Sequence, residues 1–114
     1  HRRGAEGTTM VKITNEVRRF LASLREAVRP ERVYLFGSRA AGTARRDSDW
    51  DFIIVARSFR GMNVHRRAVI VHSLPGSFPM DVLCYTPEEF AAEKTEPSIV
   101  QEALLTKTLV EVEV

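Results

Sequence analysis

The apolar run Val33-Tyr34-Leu35-Phe36 is followed, after only about a dozen residues, by the strand-like segment that starts at Asp49. A parallel crossover usually takes more chain than that, so the two segments are expected to pair as antiparallel strands. In such a pair the end of the first strand, closed by Gly37 and Ser38, lies beside the start of the second. A longer link from Ala56 to Met80 leaves room for a crossover, so a third strand, Met80 to Tyr85, can run parallel to the second and begin at the same edge.

Around these strands the pattern is helical. Val17, Phe20, Leu21, Leu24 and Val28 recur at helical spacing over Asn15 to Val28, and Pro30 stops that helix. Residues 62–73 are read as a helix on length. Thr86 followed by Pro87 and two glutamates is a start signal for a helix over 87–94, and a second short helix is expected from Pro97 to about Leu105. Val110-Glu111-Val112-Glu113-Val114 alternates as a half-exposed edge strand does. The expected class is α/β (α+β), a short mixed sheet with helices packed on one side.

A chain of 114 residues, 44% of them apolar, supplies one core, so residues 11–114 are read as one domain. Residues 1–10, polar and rich in Gly and Thr, are set aside as a disordered arm or an expression remnant. The formal charge is +2, but residues 1–80 carry 15 basic and 7 acidic side chains while residues 81–114 carry 2 and 8. A single cysteine, Cys84, excludes an intrachain disulfide and reads as a small buried hydrophobe. No apolar stretch is long enough to span a membrane and no signal peptide opens the sequence, so a cytoplasmic location is expected.

Chemistry concentrates around two carboxylates. Asp49 and Asp51 stand two apart in a strand, so they share one face while Trp50 points to the other. Such a pair is costly unless a cation or a proton lies between the two groups, and hard oxygen ligands suit Mg²⁺. Gly37 lets backbone approach a phosphate closely, and the Ser38 hydroxyl with the N–H groups after it can donate to the anion. Asp81, at the start of the third strand, reaches the same edge and can accept a proton from an attacking hydroxyl. Arg39, next to the phosphate seat, is assigned to nucleotide binding. His65 and His72 lack a third ligand for zinc. A nucleic-acid binder would carry a basic stripe interleaved with aromatics, and here the aromatics fall in apolar runs.

Leu35-Phe36-Gly37-Ser38-Arg39-Ala40-Ala41-Gly42 followed by Ser48-Asp49-Trp50-Asp51-Phe52 resembles the Gly-Ser…Asp-x-Asp signature of the polymerase-β-like nucleotidyltransferase superfamily, whose small stand-alone members are the minimal nucleotidyltransferases. The resemblance runs from about residue 15 to the end of the sequence. It implies transfer of a nucleoside monophosphate, AMP from ATP, to an acceptor hydroxyl with two Mg²⁺ ions. It further implies that Asp49, Asp51 and Asp81 hold the metals and that Gly37 and Ser38 hold the triphosphate. Trp50 departs from the aliphatic residue usual at its position. Small proteins of this kind are often antitoxins of a HEPN-domain toxin, so the resemblance implies a HEPN-type partner or a second copy of the chain. The alternative is a catalytically inactive antitoxin that only masks its partner.

Overall fold

Thr14 opens the first helix, α1 (Asn15–Val28), by accepting a hydrogen bond from the Val17 N–H at 3.2 Å, which satisfies one of the donors every helix start leaves free. Arg29 closes it in the left-handed conformation, φ 53°, with its N–H on the Arg25 carbonyl at 3.1 Å. The five apolar residues spaced along α1 are all buried. Each of the larger ones contributes roughly 1.5–3 kcal/mol by leaving water.

This computed structural model describes residues 13–76, 78–105 and 109–112. The arm expected over residues 1–10 lies outside them, as do Ser77 of the turn before Phe78 and the last two residues of the closing strand. The chain continues as β1 (Arg32–Phe36), α2 (Ser38–Ala41), β2 (Trp50–Val55), a 3₁₀ turn at Arg57–Phe59, α3 (Val64–His72), β3 (Met80–Tyr85), α4 (Pro87–Glu93), α5 (Ile99–Leu105) and β4 (Val110–Val112).

The sheet order is β3-β2-β1-β4. β1 pairs antiparallel with β2, placing Phe36 opposite Asp51, and antiparallel with β4. β2 pairs parallel with β3, placing Asp51 beside Asp81. Both orientations are those that the link lengths require, and the α+β class with a mixed sheet is what the chain adopts.

The helices differ from the expected one-sided cover. Phe52 and Ile54 of β2 pack with Val17, Phe20 and Leu24 of α1 and Val71 of α3, whereas Ile53 and Val55 pack with Phe90 of α4 and Val100 of α5. Tyr34 stacks on Phe90 with ring centroids 5.3 Å apart. The reason lies in β2 itself: Phe52-Ile53-Ile54-Val55 is apolar at every position, so both faces must be covered.

Arg67 is buried. Its guanidinium donates to the Met62 carbonyl at 3.0 Å and the Cys84 carbonyl at 3.1 Å, and grips both oxygens of Glu89 at 2.6 and 3.1 Å. Glu89 in turn closes the capping box of α4 with Thr86. One arginine thus joins α3, β3 and α4. The arginine beside it holds the Glu89 carboxyl below its usual range, chiefly by the hydrogen bond.

Candidate functional site

Three carboxylates gather where β2 and β3 begin. The Trp50 N–H donates to the Pro79 carbonyl at 3.0 Å, which fixes the starts of the two parallel strands side by side. Register then sets Asp51 beside Asp81. Both project to the face that carries Ile53 and Leu83, and Asp49, just before β2, lies close enough for its charge to act on the Asp51 carboxyl.

Burial first, then the neighbouring charges of Asp81 and Asp49, raise the Asp51 carboxyl above its ordinary value of 3.8. Among the described residues no lysine or arginine forms an ion pair with any of the three. The cluster is therefore anionic and uncompensated, an arrangement that favours a divalent cation or a proton. The three groups do not close on one point: among the described residues no set of three or more acidic, His or Cys side chains is tight enough to form a ready cation cage.

Gly37 lies against this cluster. Its backbone, φ 74° and ψ −153°, is in a region essentially reserved for glycine. A Cβ at this position would also collide with the Asp51 carboxylate. From Gly37 the chain turns directly into α2, whose first backbone bond runs from the Ala41 N–H to the Gly37 carbonyl at 3.0 Å. The N–H groups of Ser38, Arg39 and Ala40 precede that bond and have no partner within the helix. Ser38, half-buried, follows Gly37 at the β1 end beside the carboxylates. Glycine, serine and the three aspartates are thus brought to one sheet edge.

Arg39 is placed differently. Its guanidinium stacks 4.4 Å from the centre of the Trp50 ring and donates to the Ser48 carbonyl at 2.8 Å and the Arg46 carbonyl at 3.2 Å. Trp50 packs with Phe52 and Phe78 on the α1 face, so Arg39 reaches the side of β2 opposite the carboxylates. No sequence signal pairs an arginine of one loop end with a tryptophan at the other.

The set of groups at the edge suits hard cations and phosphate: carboxylate oxygens, a hydroxyl and backbone donors. Two cavities, of about 310 and 560 Å³, lie elsewhere, the first along β3 between Val64 and Glu93, the second between α1 and Pro75. None of the three aspartates lines either. Among the described residues no helix is long and apolar enough to cross a membrane.

Comparison with known proteins completes the description. Three solved structures are similar in shape. BolA1 from Arabidopsis thaliana is 23% identical, with a TM-score of 0.54 over 68% of this chain and 98% of that one, a likeness of fold alone. A Sulfolobus solfataricus protein described as a candidate nucleotidyltransferase is 25% identical, with a TM-score of 0.46 over 74% of this chain and 85% of its own. A toxin–antitoxin structure with AMP-PNP is 20% identical, with a TM-score of 0.46 over 86% and 72% respectively. No curated protein matches the sequence. The sequence model of the nucleotidyltransferase domain matches residues 16–114, a span that holds the glycine–serine corner and all three aspartates: the chain belongs to the nucleotidyltransferase domain family.

Proposed function

We propose that this chain transfers a nucleoside monophosphate, AMP from ATP, to an acceptor hydroxyl. The reading is carried by one observation: three aspartates with no cationic partner share the edge at which Gly37 admits no side chain. In this reading Asp49 and Asp51 hold Mg²⁺, Asp81 completes the second metal position, and bound Mg²⁺ neutralises charge that develops on the triphosphate. The side-chain-free backbone at Gly37 leaves space for the phosphates, and the Ser38 hydroxyl and the amides that open α2 donate to their oxygens. Asp81 accepts the proton of the acceptor hydroxyl. The α-phosphorus is displaced in line, with pyrophosphate leaving, so that the work of the protein is positioning and charge compensation.

Asp49 and Asp81 are exposed and Asp51 is half-buried, so the carboxylates are open to an incoming acceptor. The acceptor hydroxyl is therefore assigned to a second protein, a HEPN-type toxin, or to a second copy, in the cytoplasm where ATP is abundant. The decisive experiment incubates the chain with α-labelled ATP, Mg²⁺ and the protein encoded beside it. Label on that protein, lost in Asp49→Ala and Asp51→Ala, supports the reading. Absence of label, together with ATP binding that is indifferent to Mg²⁺, overturns it. The second reading is an inactive antitoxin that masks its partner. It requires tight complex formation that Asp49→Ala leaves intact.

A further inference from the structure

We infer that Arg39 is a positioning residue, a brace that sets Asp49 and Asp51 through the segment before them, and not a group that touches the nucleotide. This rests on the proposed metal-holding role of those two aspartates. Arg39 follows Ser38 on α2, so its backbone belongs to the phosphate end of the site. Its guanidinium spans to the other end, where it binds the carbonyl of Ser48, the residue directly before Asp49, and covers the ring of Trp50, the residue directly after it.

The loop has its own closure at the same point. The Ser48 N–H donates to the Arg45 carbonyl at 3.1 Å and the Ser48 hydroxyl accepts from the Arg45 N–H at 2.8 Å. Arg39 also binds the Arg46 carbonyl within this turn. The turn is thus tied shut and then pinned to α2, and the pinned residues are those that flank Asp49. Trp50, on its other side, is held by the β3 contact to Pro79. Without the guanidinium, the turn before Asp49 would keep its own closure but lose its tie to α2.

The geometry needs arginine in particular. A guanidinium can lie flat over an indole while one terminal nitrogen donates to both carbonyls, whereas an ammonium has no planar face to cover the ring. The Arg39 Nε is buried with no partner among the described residues, so the planar stack is kept even though one donor goes unused. Both bonds leave from one terminal nitrogen, Nη2, which is thereby committed to the loop before Asp49 and not to a phosphate.

The test uses the full chain and Mn²⁺ alone as a probe, with Trp50, the one tryptophan of the sequence, as reporter. Arg39→Lys is expected to shift Trp50 emission to longer wavelength as the ring loses its cover. Mn²⁺ affinity should fall roughly 10- to 100-fold, the usual cost of losing a residue that orients a ligand. Where transfer is measured, kcat should fall with KM for the nucleotide unchanged within about two-fold. Trp50→Phe, which keeps an aromatic face, should hold Mn²⁺ affinity nearer wild type than Trp50→Leu does. Adding Trp50→Leu to Arg39→Lys should cost little more than either change alone.

Unchanged emission and Mn²⁺ affinity in Arg39→Lys would overturn the brace. So would a rise in KM with kcat intact in Arg39→Ala that Arg39→Lys restores, since that is how a phosphate contact behaves. If Arg39→Lys fails to fold, the Trp50→Phe and Trp50→Leu pair decides, and equal Mn²⁺ affinity in the two overturns the inference. If the wild-type chain transfers nothing while emission and Mn²⁺ affinity still respond, the transferase reading fails and the brace stands.

Discussion

Gly37 and Asp51 sit so close that a methyl group on the glycine would collide with the aspartate's Oδ2. Gly37 also holds φ 74° with an extended ψ. Gly37→Ala is therefore strained twice, by backbone and by contact. We expect a loss of about 1–3 kcal/mol in stability, read as a lower urea midpoint, together with weaker ATP binding. A variant as stable and as competent as wild type would remove Gly37 from the corner.

Burial first, and then the charges of Asp81 and Asp49, raise the Asp51 carboxyl above 3.8. A raised acid binds more protons folded than unfolded, so its contribution favours folding below the unfolded value and is lost as pH rises through the folded one. Asp51→Asn should accordingly raise the melting temperature at pH 7 and flatten this part of the pH profile. The same change should lower Mg²⁺-dependent transfer by at least about 100-fold. Thermal melts from pH 3 to 7 and an α-labelled ATP assay check both halves. A less stable Asp51→Asn at pH 7 would contradict the repulsion.

The Arg67–Glu89 pair has the opposite sign. The carboxyl of Glu89 is lowered, first by the Arg67 hydrogen bond, so its stabilisation is present above the unfolded value of 4.5 and lost as pH falls through the folded value. Glu89→Gln should destabilise the chain by about 1 kcal/mol at pH 7, because solvent screens the half-exposed carboxylate, with the deficit shrinking in acid. Urea titrations at pH 7 and pH 3 read the difference. An equal deficit at both would show that the charge is not what matters.

Cys84 is buried, and desolvation pushes its thiol up to about 11 against a smaller opposing effect of Arg67. The thiolate is the reactive form, so iodoacetamide at pH 8 should label the native chain only as fast as the chain opens. Labelling at the rate of a free thiol would place Cys84 outside the core.

Much of this fold was legible because local rules and link lengths agreed. Thr14, the spacing from Val17 to Val28, and Pro30 give α1 its boundaries, and the short link after Phe36 sets the antiparallel pair. The length of the next link allows β3 to bring Asp81 to Asp51. What stayed hidden depends on tertiary neighbours. The unbroken apolar run Phe52 to Val55 carried the signal for helices on both faces, but strand alternation drew attention to Asp49 and Asp51 instead. The single turn of α2 is too short for a periodic pattern. Arg39 and Arg67 both look like surface arginines in sequence. Nothing local announces that one will cover Trp50 and the other will reach the Cys84 carbonyl.

That last contact bears on how the molecule keeps to itself. The carbonyls of Pro79 and Tyr85 accept from β2, so by alternation the Cys84 carbonyl points out from the sheet's open margin. A bare strand margin is a template for a stranger's backbone and a starting point for fibres. Here the guanidinium of Arg67 already occupies that outward carbonyl, a plug that denies an incoming strand its next rung.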